Sequence, residues 1–178
     1  DIWFVVGLPI FLATSLNWSH PEIGGFLALW VIGYGVVQAI VPKLLQLFLA
    51  DGIPCGGTAS NAAFLLAGLT GLIALGVRAE LSPWVAVIGG LALFGLIFAV
   101  NSTVHSYLIL SYSTDDQIAM DVGFYYMANA AGRLIGTLLS GVVFQIAGLA
   151  GCLLVSMLFV LTAALFSMQL PKKKPASE

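Results

Sequence analysis
Apolar residues fill this chain in long blocks, broken by short polar interruptions. A membrane-crossing helix needs about 20 predominantly apolar residues. That criterion predicts six spans, at residues 2–16 (short), 23–45, 59–77, 84–108, 122–147 and 149–170. The breakers between them are polar or rich in Gly and Pro. Residues 17–22 form a turn with an interfacial Trp18, and 51–57 a flexible Gly-rich loop. Residues 78–83 form a second turn, and 111–121 an acidic loop. Pro42-Lys43 is expected to end the second helix, because a proline cannot donate to the helical ladder. The expected fold is an all-α membrane protein, a bundle of six transmembrane helices over residues 1–170. A polar cytoplasmic tail follows at 171–178.

Composition agrees with lipid as the main solvent. The 178 residues are 60% hydrophobic and 8% charged, with a mean hydropathy of +1.06, against about 25% charged in soluble domains. A net charge of −2 says little when so few charges exist, and no basic stripe points to a nucleic-acid partner. Apolar sequence begins at once, without the charged leader of a signal peptide, so a fragment of a longer protein is expected. An even number of crossings puts both ends on one side. That side holds Lys43, Lys172, Lys173 and Lys174, and the other only Arg78, which predicts a cytoplasmic C-terminus. The three lysines act as a topology anchor or as a binder of anionic lipid. Cys55 and Cys152 fall at opposite ends of spans, too far apart for a disulfide. No Cys/His spacing resembles a metal site, so neither a metal nor another cofactor is expected.

Arg133 changes the picture most. It lies deep in the fifth span, where a charge costs at least ~2.5 kcal/mol and usually faces protein or water. Tyr125, Asn129, Arg133, Thr137 and Gly141 share one face of that span. Ala128, Gly132, Gly136 and Ser140 form a small-residue packing stripe about 100° away. In the fourth span, Asn101 and His105 share a face, at a depth similar to Tyr125 and Asn129. Trp30, Tyr34 and Gln38 form an amphipathic stripe on the second span. These residues, with Tyr126, are the candidate substrate-binding set: Arg133, Asn129, Tyr125, Tyr126, His105, Asn101, Gln38 and Tyr34. His105 and Asp121 are candidates for proton coupling.

Each has a plainer reading. His105 and Asn101 serve equally as structural hydrogen-bonding groups, and the tyrosines as interfacial aromatics. Trp30, Tyr34 and Gln38 also read as core packing. For Arg133 the plain reading is an ion pair with a carboxylate outside the chain, since no Asp or Glu lies deep in a span and Asp121 is three turns away. Enzyme readings do poorly: no nucleophile elbow, phosphate loop or zincin motif occurs, and Asp115-Asp116 reads as a solvated loop.

Six spans with both ends on the cytoplasmic side resemble the C-terminal half of a major facilitator superfamily transporter, helices seven to twelve. Of the superfamily's loop motif only Pro42-Lys43 and Asp51-Gly52 remain. Locally, residues 3–9, 25–35, Val100-Asn101-Ser102 with 105–108, and 121–130 with Gly132-Arg133-Leu134 resemble the ArsJ-type organoarsenical efflux permeases. That resemblance implies a missing N-terminal six-helix half, a bacterial inner membrane, and export of 1-arseno-3-phosphoglycerate. It also implies partnership with a glyceraldehyde-3-phosphate dehydrogenase that makes this ester from arsenate. The alternatives are a carrier for another small solute, such as a sugar phosphate, organic acid or drug, and a non-transporting membrane scaffold.

Overall fold
The computed structural model describes residues 1–48, 54–114 and 116–171. Every regular element among them is helical: α1 (Gly7–Ser15), α2 (His20–Phe48), α3 (Gly56–Arg78), a π-helical turn (Trp84–Gly89) leading into α4 (Gly90–Tyr112), and α5 (Ile118–Ser167). Four helices are long and apolar enough to cross a membrane, α2, α3, the π-turn with α4, and α5. The chain is therefore an all-α, membrane-embedded protein. Residues 51–53 of the expected Gly-rich loop, Asp115 and residues 172–178 with their three lysines lie outside the described residues.

The 50 residues of α5 do not form one rod. Gly148 has φ 62° and ψ −164°, a region open essentially to glycine alone. Cys152 Sγ nonetheless lies 3.6 Å from the Ser140 carbonyl oxygen. In a straight helix twelve residues would separate these groups by ~18 Å. The chain folds back at Gly148 into two antiparallel arms, residues 118–147 and 149–167. The sequence pattern predicts this break, because its fifth and sixth spans stop and restart on either side of Gly148.

Other boundaries differ from expectation. Helix α2 runs through Pro42 to Phe48 instead of ending at Pro42-Lys43. A proline deletes one ladder bond, and a membrane helix tolerates that loss where neighbouring groups compensate. The first segment is helical only from Gly7. Residues 2–6 are turns, and they bury Trp3 and Ile2 against the rest.

Contacts fix the order of packing. Helix α3 runs antiparallel to the second arm of α5: the Ser60 hydroxyl donates to the Ala164 carbonyl at 3.2 Å. Further along, a Cβ on Gly71 would stand 2.7 Å from Met157 Sδ. Helix α3 is also antiparallel to α4, with Gly76 against Ala86 and Gly90 against Ile73. Helix α2 runs parallel to α4. The Trp30 indole Nε1 donates to the Leu91 carbonyl at 3.0 Å, and the Gln38 amide Nε2 to Ser102 Oγ at 3.2 Å. Gly95 makes the first contact possible, since a Cβ there would meet Trp30 at 3.2 Å. The main core gathers Trp3, Leu8, Leu12, Val87, Leu91 and Leu153. At the end of the bundle opposite Gly148, the Pro171 carbonyl accepts two hydrogen bonds. One comes from the Gly56 amide at 3.2 Å and one from the Tyr112 hydroxyl at 2.8 Å. This single carbonyl fastens the start of α3 to the end of α4.

Candidate functional site
The first arm of α5 carries the polar stripe. Its apolar sequence makes it a helix suited to lipid, and Thr137 bonds back to the Arg133 carbonyl at 2.9 Å. Its fully buried positions, Gly136 and Ser140, lie in its second half. Gly136 lets the chain start approach: a Cβ there would lie 3.2 Å from Asp1 Cβ. Ser140 Oγ accepts the Gly7 amide at 3.2 Å. Gly136 and Ser140 thus behave as the small-residue packing stripe expected of them. Ala128 and Gly132, on the same stripe, are exposed.

Arg133 leaves 71% of its side chain exposed. Its Nε stands 3.4 Å from an Asp1 carboxylate oxygen, so an acidic partner does exist within the chain, contrary to the sequence reading. That pairing joins segments far apart in sequence, which periodicity along one helix cannot reveal. It engages the guanidinium through Nε alone, and among the described residues this is the only ion pair of Arg133. The fork formed by its terminal nitrogens therefore remains available to another planar or tetrahedral anion.

Asn129 is exposed, Tyr125 half-buried and Tyr126 65% exposed. The two tyrosine rings meet edge-on, 5.5 Å apart. Asp121 sits in the first turn of α5, where a carboxylate favours the positive end of the helix dipole.

The α4 residues keep local company. His105 Nδ1 lies 2.8 Å from the Asn101 carbonyl oxygen one turn earlier, a bond within one helix made when that nitrogen carries the proton. Asn101 Oδ1 is shielded from solvent and has no hydrogen-bond partner among the described residues. Helix α4 touches α5. No hydrogen bond or ion pair among the described residues joins Asn101 or His105 to Tyr125, Asn129 or Arg133. Helices α2 and α5 make no contact among the described residues, so the stripe on α2 belongs to a different surface. Trp30 and Tyr34 stack at 5.8 Å, nearly parallel. Tyr34 stacks on Phe98 at 5.3 Å, and Gln38 bonds to Ser102. These three residues form a ladder that joins α2 to α4, as the core-packing reading expects. Sequence reasoning missed Ser102 and Phe98 as their partners, although both lie on α4 at the spacing such a ladder requires.

Among the described residues no cluster of His, Cys, Asp and Glu has the makings of a metal site. Comparison with protein-family models, curated proteins and solved structures produced no match.

Proposed function
We propose that this chain is part of a membrane carrier for small organic anions, working by alternating access. Arg133 carries the reading: a permanently charged fork, largely exposed, with one weak protein partner and set in an otherwise apolar helix. Asn129 and Tyr125 lie on the same face and supply further hydrogen bonds. In this reading α2, α3, α4 with its π-turn, and the two arms of α5 are five crossings of one half of a major facilitator carrier, and α1, at nine residues too short to cross by itself, belongs to a sixth. The alternating directions of the packed helices support that count. Both ends of the half face the cytoplasm, and a second half supplies the remaining cavity wall and a second cation for a multiply charged substrate. The ArsJ-type resemblance nominates 1-arseno-3-phosphoglycerate. Its phosphate and arsenate oxygens suit a guanidinium, and pentavalent arsenic needs no thiolate.

The test is arsenic efflux from arsenate-loaded bacteria lacking their own exporters. The full-length carrier is expressed with or without a glyceraldehyde-3-phosphate dehydrogenase, and as wild type, Arg133→Lys or Arg133→Ala. Efflux that needs both proteins and vanishes with Arg133→Ala upholds the arsenate-ester reading. Absent efflux with confirmed membrane expression rejects that substrate and directs the assay to sugar phosphates and organic acids. The Asp1 contact favours one rival, a non-transporting scaffold in which Arg133 is a structural ion pair. That rival expects Asp1→Asn and Arg133→Ala to lower stability equally and no solute to be moved.

A further inference from the structure
The turns that precede α1 touch two parts of the bundle that do not touch each other. Helices α2 and α5 make no contact among the described residues, and residues 2–6 are turns rather than regular helix. On one side, Asp1 reaches Arg133. Gly136 leaves room for it: a Cβ there would stand 3.2 Å from Asp1 Cβ and 3.6 Å from Ile2. On the other side, Trp3 meets Phe94 of α4 edge-on at 5.2 Å, and Phe4 lies 4.7 Å from Trp30 of α2. Through Trp30, Tyr34, Phe98 and Phe94 these rings close into one circuit, each centroid within 6.1 Å of the next.

The two grips differ in kind. The aromatic grip is packing, with Ile2 and Trp3 buried, and dissolved solutes do not compete for it. The ionic grip is a single contact at 3.4 Å to a side chain 71% exposed, the weak kind of pair that a better-placed anion replaces. Arg133 lies about 20 Å from either end of its arm, at 1.5 Å per residue. A lipid headgroup does not reach that depth, so the competing anion comes from water.

We infer that residues 1–6 are a strap that senses whether Arg133 is occupied. With the site empty, Asp1 holds the guanidinium and the strap lies closed on Phe94 and Trp30. A soluble oxyanion on Arg133 displaces Asp1, and the strap opens more often. The two effects are linked: the open-to-closed ratio rises by the factor by which Asp1 weakens anion binding, because one contact is exchanged for the other. For an exposed ion pair that factor is up to about fivefold. The strap thus carries news of the anion to α2 and α4, which share no hydrogen bond or ion pair with Arg133 among the described residues. The inference rests on the anion reading of Arg133.

The test is hydrogen exchange, read by mass spectrometry, on the full-length protein in phosphatidylcholine nanodiscs with and without inorganic phosphate. Binding of radiolabelled phosphate is measured separately. The Val5 amide donates to the Asp1 carbonyl at 3.2 Å and the Leu8 amide to the Trp3 carbonyl at 2.7 Å, so both report opening of the strap. Phosphate should speed their exchange up to about fivefold and leave α3 unchanged. Asp1→Asn should exchange at the fast rate with or without phosphate, and Arg133→Gln should be fast and unresponsive. Phosphate that binds without speeding exchange, or an Asp1→Asn protein that stays slow, would overturn the strap and leave the anion reading standing. Faster exchange of α3 in Asp1→Asn would reduce the contact to a structural one and sink the inference. Acceleration by phosphatidylglycerol alone would assign the anion to lipid, against the soluble source. Absent phosphate binding would reject the anion reading and the strap together.

Discussion

Replacing Gly148 by alanine isolates the energetics of the fold-back in α5. A Cβ at this position would meet nothing within 4 Å, so no steric clash contributes. The whole penalty is backbone strain: φ 62° with ψ −164° costs a non-glycine residue about 1–3 kcal/mol. At 1.4 kcal/mol per decade, the folded-to-unfolded ratio should drop about 5- to 150-fold. Titration of the full chain from mild detergent into SDS, followed by tryptophan fluorescence, measures that ratio. Cys152 gives a local readout, because it is fully buried beside Ser140 and Gly7 only while the arms stay folded together. Its maleimide reaction should speed up in step with the loss of stability. Gly151→Ala is the steric counterpart, since its Cβ would fall onto the Ala147 side chain and push the arms apart. A Gly148→Ala protein within about 0.5 kcal/mol of wild type, with Cys152 still protected, would refute the left-handed turn as the device that reverses the chain.

Three further outcomes follow from the packing. Gly95→Leu should displace Trp30 from α4 and break its bond to the Leu91 carbonyl. Overpacking of this kind costs about 1–3 kcal/mol, and a shift in tryptophan emission should accompany it. Gln38→Leu and Ser102→Ala, combined in a double-mutant cycle, should show a coupling of about 0.6 kcal/mol, the average for side-chain hydrogen bonds between membrane helices; additivity within error would remove that bond from the α2–α4 ladder. On the proposed anion-carrier function, Asp1→Asn should leave the membrane expression level unchanged while raising the apparent affinity of Arg133 for anionic solutes. Transport competition with inorganic phosphate would read this, and an unchanged inhibition constant would show that Asp1 does not compete for the guanidinium.

Much of the fold was legible because lipid imposes a simple rule: a crossing segment must be apolar and helical. Residues 59–77 and 84–108 were recognised within a few residues of α3 and of α4 with its π-turn. The gap between spans five and six fell on Gly148, where the backbone needs glycine. Pro42 misled, because its effect depends on neighbours that a single helix pattern does not reveal. The π-turn at Trp84–Gly89 left no mark in the apolar pattern, which is the same for either helix type. For the site, one-helix periodicity put Tyr125, Asn129 and Arg133 on a common face. It could not assign partners between helices: the parallel pairing of α2 with α4 drew Tyr34 and Gln38 away from Arg133, and Asp1 reached it from the far end of the chain. Spacing along a helix records faces, whereas convergence is a property of packing.

The hydrogen bonds to the Pro171 carbonyl bear on the timing of assembly. Tyr112 and Pro171 are 59 residues apart, about 3–12 s of synthesis at ~5–20 residues per second. Through that interval α3 and α4 already exist, yet the acceptor that fastens their ends has not been made. The nascent bundle therefore waits with one end open, and membrane quality-control proteases have their best access to it at that stage. Ribosome stalling downstream of Tyr112 would lengthen that exposure without altering a single residue of the finished protein.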